Sequence, residues 1–126
     1  MENEMRTEAP ILSVEKVSKN FGGLAALNDI NLSVRLREIF GLIGPNGAGK
    51  TTLFNLLSGA LRPDSGRIVF GEDNITRFKA DRRSRLGIGR TFQIAQPFLE
   101  LTVEENVMTG AITRHIRIKH MREEIQ

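Results

Sequence analysis

Gly44-Pro45-Asn46-Gly47-Ala48-Gly49-Lys50-Thr51 fits the pattern G-x-x-x-x-G-K-[ST], a loop that cradles phosphates. Glycines at these positions let the backbone take dihedrals that a Cβ would forbid. The curled N–H groups then point inward as an anion nest, and a following helix adds its positive N-terminal end. Lys50 brings a point charge to the β- and γ-phosphates, and the Thr51 hydroxyl can ligate Mg²⁺. Thr52 is placed to reach the α-phosphate. The bland alternative, a glycine-rich turn that binds nothing, is disfavoured by the segments on either side of the loop.

Before the loop, Ile39-Phe40-Gly41-Leu42-Ile43 is apolar throughout. A run of this kind predicts a strand covered on both faces, as in a parallel sheet. After the loop, Leu53, Leu56, Leu57 and Ala60 recur at helical spacing, and Phe54 and Leu61 widen the stripe. The pattern predicts a largely buried helix that Gly59 and Pro63 end. Further upstream, Ile11 to Phe21 and the alternating Ile30, Leu32 and Val34 predict an antiparallel strand pair, with Gly22-Gly23 breaking the first. Downstream, Arg62 to Gly66 is turn chemistry, Arg67 to Phe70 a short strand, and Lys79 to Leu86 a short basic helix. Gly87 to Gln93 reads as extended and Pro97 lies in a loop. Thr102-Val103-Glu104-Glu105 is a capping box opening a helix on which Val103, Val107, Ala111 and Ile112 share a face. Met121 to Glu124 also reads as helical.

Composition narrows the class. The chain has 126 residues, 40% hydrophobic and 26% charged, enough for one domain with a core. No apolar run is long enough to span a bilayer, and the polar, acidic start Met1 to Arg6 does not resemble a secretion signal. Cysteine is absent, which excludes disulfides and thiolate metal sites. The net charge of +3 gathers at Arg82-Arg83-Ser84-Arg85 and from Arg114 to Arg122. With no Tyr or Trp and no interleaved aromatics, solvated helix faces are favoured over a nucleic-acid surface. His115 and His120 sit in the second basic stretch and suggest no metal site.

Gly44 to Thr52, read as Gly-Pro-Asn-Gly-Ala-Gly-Lys-Thr-Thr, resembles the Walker A loop of ABC transporter ATPases. Phe21 to Ile30 resembles the segment that carries that family's adenine-stacking aromatic, and Leu61 to Ile68 its turn after the P-loop helix. Arg90-Thr91-Phe92-Gln93 resembles the Q-loop, and Pro97 to Val107 the entry into the helical subdomain. Phe-Gly-Gly-Leu together with Gly-Arg-Thr-Phe-Gln is similar to the branched-chain amino acid importer type, with relatives for urea or short amides. The likeness runs from about Ile11 to about Thr113.

The resemblance implies an α/β fold: a P-loop NTPase (RecA-like) core with an N-terminal antiparallel β subdomain. It implies a flexible tail over 1–10, the β subdomain and P-loop core over 11–93, and the Q-loop exit with the start of a helical subdomain over 94–126. The implied ligands are ATP and Mg²⁺, held by Phe21, Gly44, Pro45, Asn46, Gly47, Ala48, Gly49, Lys50, Thr51 and Thr52. Phe21 would stack on adenine; on its residues alone it reads as an ordinary strand-end aromatic. Lys50 and Gln93 would serve catalysis, and Thr51 and Gln93 would ligate the metal. Ile94 to Leu101 would lie near the permease subunits, with Phe98 and Leu99 offering apolar contacts, although packing within the chain is an equal alternative. A second ATP-binding subunit is the other implied partner, nucleic acid is not expected, and the implied location is the cytoplasmic face of the membrane.

The family's signature sequence, Walker B strand, catalytic Glu and switch His have no counterpart in these 126 residues. Leu57-Ser58-Gly59-Ala60 belongs to the P-loop helix, and Ile68 to Asp73 sits too close to the loop to be a Walker B strand. These residues alone are therefore expected to bind nucleotide better than they hydrolyse it. As an isolated piece they are expected to be poorly soluble, because the apolar strand at 39–43 would have an open edge. A nucleotide-binding fragment without turnover and a DNA-associated ABC-type ATPase stay open as alternatives.

Overall fold

The computed structural model describes residues 9–111. The chain divides into two compact units, Met1–Lys79 and Ala80–Gln126. The first is built on a four-stranded antiparallel sheet of β1 (Leu12–Phe21), β2 (Leu24–Val34), β3 (Ser65–Phe70) and the two-residue β4 (Asp73–Asn74), in the order β2-β1-β3-β4. The expected hairpin is present: the turn at Gly22-Gly23 joins β1 to β2, and Phe21 pairs with Leu24. β2 begins at Leu24, well before the alternation at Ile30 that identifies it in sequence.

β1 does not keep a period of two. Val14 and Val17 are three residues apart, yet they are only 2% and 0% exposed. The ladder shifts between them, and Lys16 has a φ of +49°. One extra residue in a strand returns the following side chain to the face it would otherwise leave. Two features hold this bulge. The Lys16 N–H donates to Asn31 Oδ1 at 2.9 Å. Opposite it, Gly66 has a φ of +88°, and a Cβ there would collide with the Glu15 and Lys16 carbonyl oxygens. β3 can approach only because residue 66 has no side chain.

The core of this unit is small: Val14, Val17, Leu27, Leu53, Leu56, Ile68 and Ile75, all 5% exposed or less. Leu53 and Leu56 come from α1 (Lys50–Ser58), which lies against β2. α1 ends where the sequence predicts. Gly59 takes the left-handed conformation at φ 82°, and its N–H donates to the Leu56 carbonyl at 3.3 Å. The helix is less buried than its stripe predicts, because Phe54 stays 49% exposed.

The larger departure is at 39–43, which forms no strand. Ile39 is 100% exposed, Ile43 97%, Phe40 46% and Leu42 37%. A strand is defined by its ladder, and among the described residues none pairs with this run. Apolar character therefore marks the segment for burial without supplying the partner.

The second unit contains α2 (Ala80–Arg85), crossed by an Asp81–Arg85 ion pair at 2.7 Å. Its basic residues do not all face solvent as expected. Arg83 is fully buried, and burial lowers the pKa of its guanidinium. Gly87 to Gln93, expected to be extended, carries no strand. Residues 103–111 are helical, and the capping box forms in full. Thr102 Oγ1 accepts the Glu105 N–H at 3.2 Å, and Glu105 Oε2 accepts the Thr102 N–H at 2.7 Å. Val103 and Val107 on that helix are 82% and 72% exposed. Ile112, both histidines, the basic stretch from Arg114 and the Met121 to Glu124 helix lie outside the described residues, as do residues 1–8 of the tail.

Candidate functional site

The loop at 44–49 is fixed mainly by its own backbone. The Ala48 N–H donates to the Pro45 carbonyl at 3.2 Å, closing a tight turn. Gly47 and Gly49 have φ of +82° and +92°. At Gly49 the requirement is doubled: a Cβ would stand 2.5 Å from Ala26 O and 2.7 Å from Leu27 Cδ2. The loop thus leans directly on β2 at the only kind of residue that permits it. Lys50 folds back over the turn, and its ammonium donates to the carbonyls of Gly44 and Pro45, the latter at 2.7 Å.

The loop runs straight into an uncapped helix start. The N-cap of α1 is Gly49, no side chain caps the first turn, and no acidic residue lies in it. First-turn N–H groups have no intrahelical acceptor, and the helix dipole makes that end positive. A Ser, Asp or Glu would satisfy those donors internally. Its absence leaves them available to an anion.

These groups line a cavity of about 360 Å³ together with the end of the hairpin. Its lining is Phe21, Leu24, Ala25 and Ala26 from the hairpin and Asn46, Gly47, Gly49, Lys50, Thr51 and Thr52 from the loop and α1. The size lies in the range of small-molecule sites. No carboxylate lines it, and its lining combines apolar residues and an aromatic ring from the hairpin with the glycine loop, Lys50 and two threonines. The Phe21 ring is 46% exposed. An exposed aromatic ring and an anion-binding loop lining one cavity suit a nucleotide's base and phosphates, so the residues fit such a ligand.

Of the candidate site residues, Phe21, Asn46, Gly47, Gly49, Lys50, Thr51 and Thr52 share this cavity. Gly44 and Pro45 act through their carbonyls on Lys50. Ala48 instead lines a separate, mostly apolar hollow with Leu27, Phe40, Leu42 and Leu53. Gln93 belongs to the second unit, where it is exposed in a bend three residues after Arg90, whose guanidinium lies 4.6 Å from the Phe92 ring centroid. Sequence reasoning misses Leu24, Ala25 and Ala26 as wall residues. Their only signal there is apolar character directly after a Gly-Gly turn.

Phe98 and Leu99 are 61% and 92% exposed, on a loop that the Asn106 side chain ties to the following helix. Asn106 Oδ1 accepts the Phe98 N–H at 2.8 Å, and its Nδ2 donates to the carbonyls of Phe98, Leu101 and Thr102 at 2.9–3.2 Å. Among the described residues no group of three or more His, Asp or Glu could hold a metal ion, and no helix is long and apolar enough to cross a membrane.

A phosphate loop between an antiparallel sheet and an uncapped helix defines the class of P-loop nucleotide-binding proteins. Within that class, the family described as ABC transporter matches residues 27–126, so the chain belongs to the ABC transporter family. It is 43% identical over 110 residues to the high-affinity branched-chain amino acid transport ATP-binding protein LivG of Salmonella typhimurium, covering 87% of this chain and 42% of that protein. It is 48% identical over 110 residues to a probable LivG of Archaeoglobus fulgidus, covering 87% and 43%. An ATP-binding cassette of an ABC transporter, solved in its ADP conformation, superposes with a TM-score of 0.75 at 41% identity over 83% of this chain and 41% of that one. A dimeric cassette bound to ADP and Pi gives 0.70 at 26% identity, over 80% and 47%. The chain thus spans less than half the length of these relatives.

Proposed function

We propose that this chain carries the nucleotide-binding part of an ATP-binding subunit that powers an ABC importer for branched-chain amino acids or related small solutes. The observation that carries the reading is the single cavity lined both by Phe21 and by Lys50, Thr51 and Thr52 at the uncapped start of α1. The identity to LivG proteins supports the choice of solute class. Adenine stacks on Phe21, the loop N–H groups and Lys50 hold the phosphates, and Lys50 and Gln93 serve hydrolysis. Thr51 and Gln93 are the residues that would supply protein oxygens to Mg²⁺, which would neutralise phosphate charge. A site that relies on substrate phosphates for most metal ligands needs no acidic cluster of its own.

The proposed assembly pairs two such subunits on the inner face of the membrane, with permease subunits contacting Ile94 to Leu101. The exposure of Phe98 and Leu99 supports that surface. The direct test is calorimetric titration of the full-length protein with Mg-ATP. Lys50→Ala should weaken binding by about 10- to 100-fold, the loss of one charge-assisted contact. Unchanged affinity in that variant would remove the phosphate-loop reading. Loss of labelled branched-chain amino acid uptake in cells lacking the gene tests the solute class.

A further inference from the structure

The turn that follows α1 reaches back to the strand bearing Phe21. Asp64 lies more than forty residues after that strand, yet three of its groups bond to it. The Asp64 N–H donates to the Ser18 carbonyl at 3.0 Å. Its Oδ2 accepts the Asn20 N–H at 2.7 Å, and its Oδ1 accepts the Lys19 ammonium at 3.0 Å. The Lys19 ammonium in turn lies 5.5 Å from the centroid of the Phe21 ring, within reach of a cation–π interaction.

The strand needs this support at that point. Pairing of β1 with β3 ends at Ser18 opposite Ser65. Pairing of β1 with β2 shifts register between Val17 and Lys19 and again between Lys19 and Asn20. The last residues before Phe21 therefore lie where one ladder has stopped and the other is irregular. Asp64 continues the lost ladder by one rung, its carboxylate standing in for a carbonyl. The Asn20 N–H, and after it the Lys19 ammonium, hold that carboxyl below the ordinary carboxylate range. Neither Asp64 nor Lys19 lines the nucleotide cavity.

We propose that Asp64 is a positioning residue for the base end of the site: it fixes Lys19 and Asn20, and through them the Phe21 ring, without touching nucleotide. This rests on the reading of Phe21 as the base platform. Ring orientation matters only to a ligand that has a base. Loss of Asp64 should therefore weaken ATP and spare a triphosphate chain that lacks one.

The experiment measures binding of Mg-ATP and of Mg-tripolyphosphate to the full-length protein and to Phe21→Leu, Asp64→Ala and Asp64→Asn variants. Phe21→Leu should weaken ATP by about tenfold, the scale of one lost base–aromatic stack, with tripolyphosphate changed less than about twofold. Asp64→Ala should reproduce that selective loss at about three- to tenfold. Asp64→Asn keeps an acceptor for the Asn20 N–H, so it should fall between Asp64→Ala and the parent. Parallel loss of both ligands in the Asp64 variants would mean a general folding role and overturn the proposal. Selective loss in Phe21→Leu with none in Asp64→Ala would overturn the positioning role alone. No selective loss in Phe21→Leu would remove the base platform itself, and the proposal with it.

Discussion

The loops at 44–49 and 98–102 are held by opposite means. The loop at 44–49 is shaped by backbone: positive φ at Gly47 and Gly49, a turn closed by Ala48, and a lysine folded onto two carbonyls. The loop at 98–102 is shaped largely by side chains of the helix that follows it: Asn106 bonds to Phe98, Leu101 and Thr102, and Glu105 bonds to Thr102. The difference follows from the groups each loop presents. A phosphate cradle offers its own N–H groups inward, so no side chain can fill its concavity. A loop that shows Phe98 and Leu99 outward leaves its inside free for an asparagine. One design tolerates almost no substitution, and the other should fail by degrees.

The sharpest way to break this comparison is Gly49→Ala. The new Cβ meets Ala26 O and Leu27 Cδ2 well inside contact distance and also forces an alanine to φ +92°. Backbone strain of this kind costs about 1–3 kcal/mol before any clash is counted. The expected outcome is a lower melting temperature and loss of Mg-ATP binding. A variant with wild-type affinity would show that the loop does not depend on leaning against β2.

Asn106→Ala should do less. It removes one acceptor and one donor group from a segment that water can reach, at a cost of about 0.5–1.5 kcal/mol, felt locally. Amide exchange at Phe98 and Leu101 should quicken, and the protein should stay folded. A global collapse would mean that Asn106 holds far more than this loop.

The smallest effect expected is on the cap of the 103–111 helix. Bonds from Thr102, first its N–H and then its hydroxyl, hold the Glu105 carboxyl below the ordinary glutamate range. A carboxyl lowered by folding stabilises above its unfolded pKa, and that contribution is lost as pH falls through the folded value. Helical chemical shifts of residues 103–108 should therefore relax toward coil on acidification, and somewhat less so in Thr102→Ala, which loses the hydroxyl bond but keeps the backbone N–H that bonds Glu105. An identical titration in both would show that the Thr102 hydroxyl adds nothing to the cap, and no change on acidification in either would show that Glu105 does not act through it. No matching pH step is expected at the phosphate loop, where no carboxylate lines the cavity.

The legible parts of the fold share a property. The phosphate loop, the Gly59 stop of α1 and the Thr102–Glu105 capping box each depend on residues within about one turn of one another. Their geometry is settled by dihedral preferences and short-range hydrogen bonds. The β1–β2 hairpin is nearly as local, although its bulge at Lys16 is hidden in the sequence because it depends on Asn31 and Gly66.

The illegible parts depend on partners far along the chain. Apolar content at 39–43 predicts a strand, but a strand requires a ladder, and none of the described residues supplies one. A cluster of arginines reads as solvated, yet Arg83 is buried because packing, not composition, decides which member turns inward. By itself, then, the sequence determined the phosphate loop, its helix and the family, because these rest on short-range geometry and residue identity. Only the tertiary structure decided that Phe21 lines one cavity with the loop and that Asp64 grips the strand that carries it, because both need residues distant in sequence to meet.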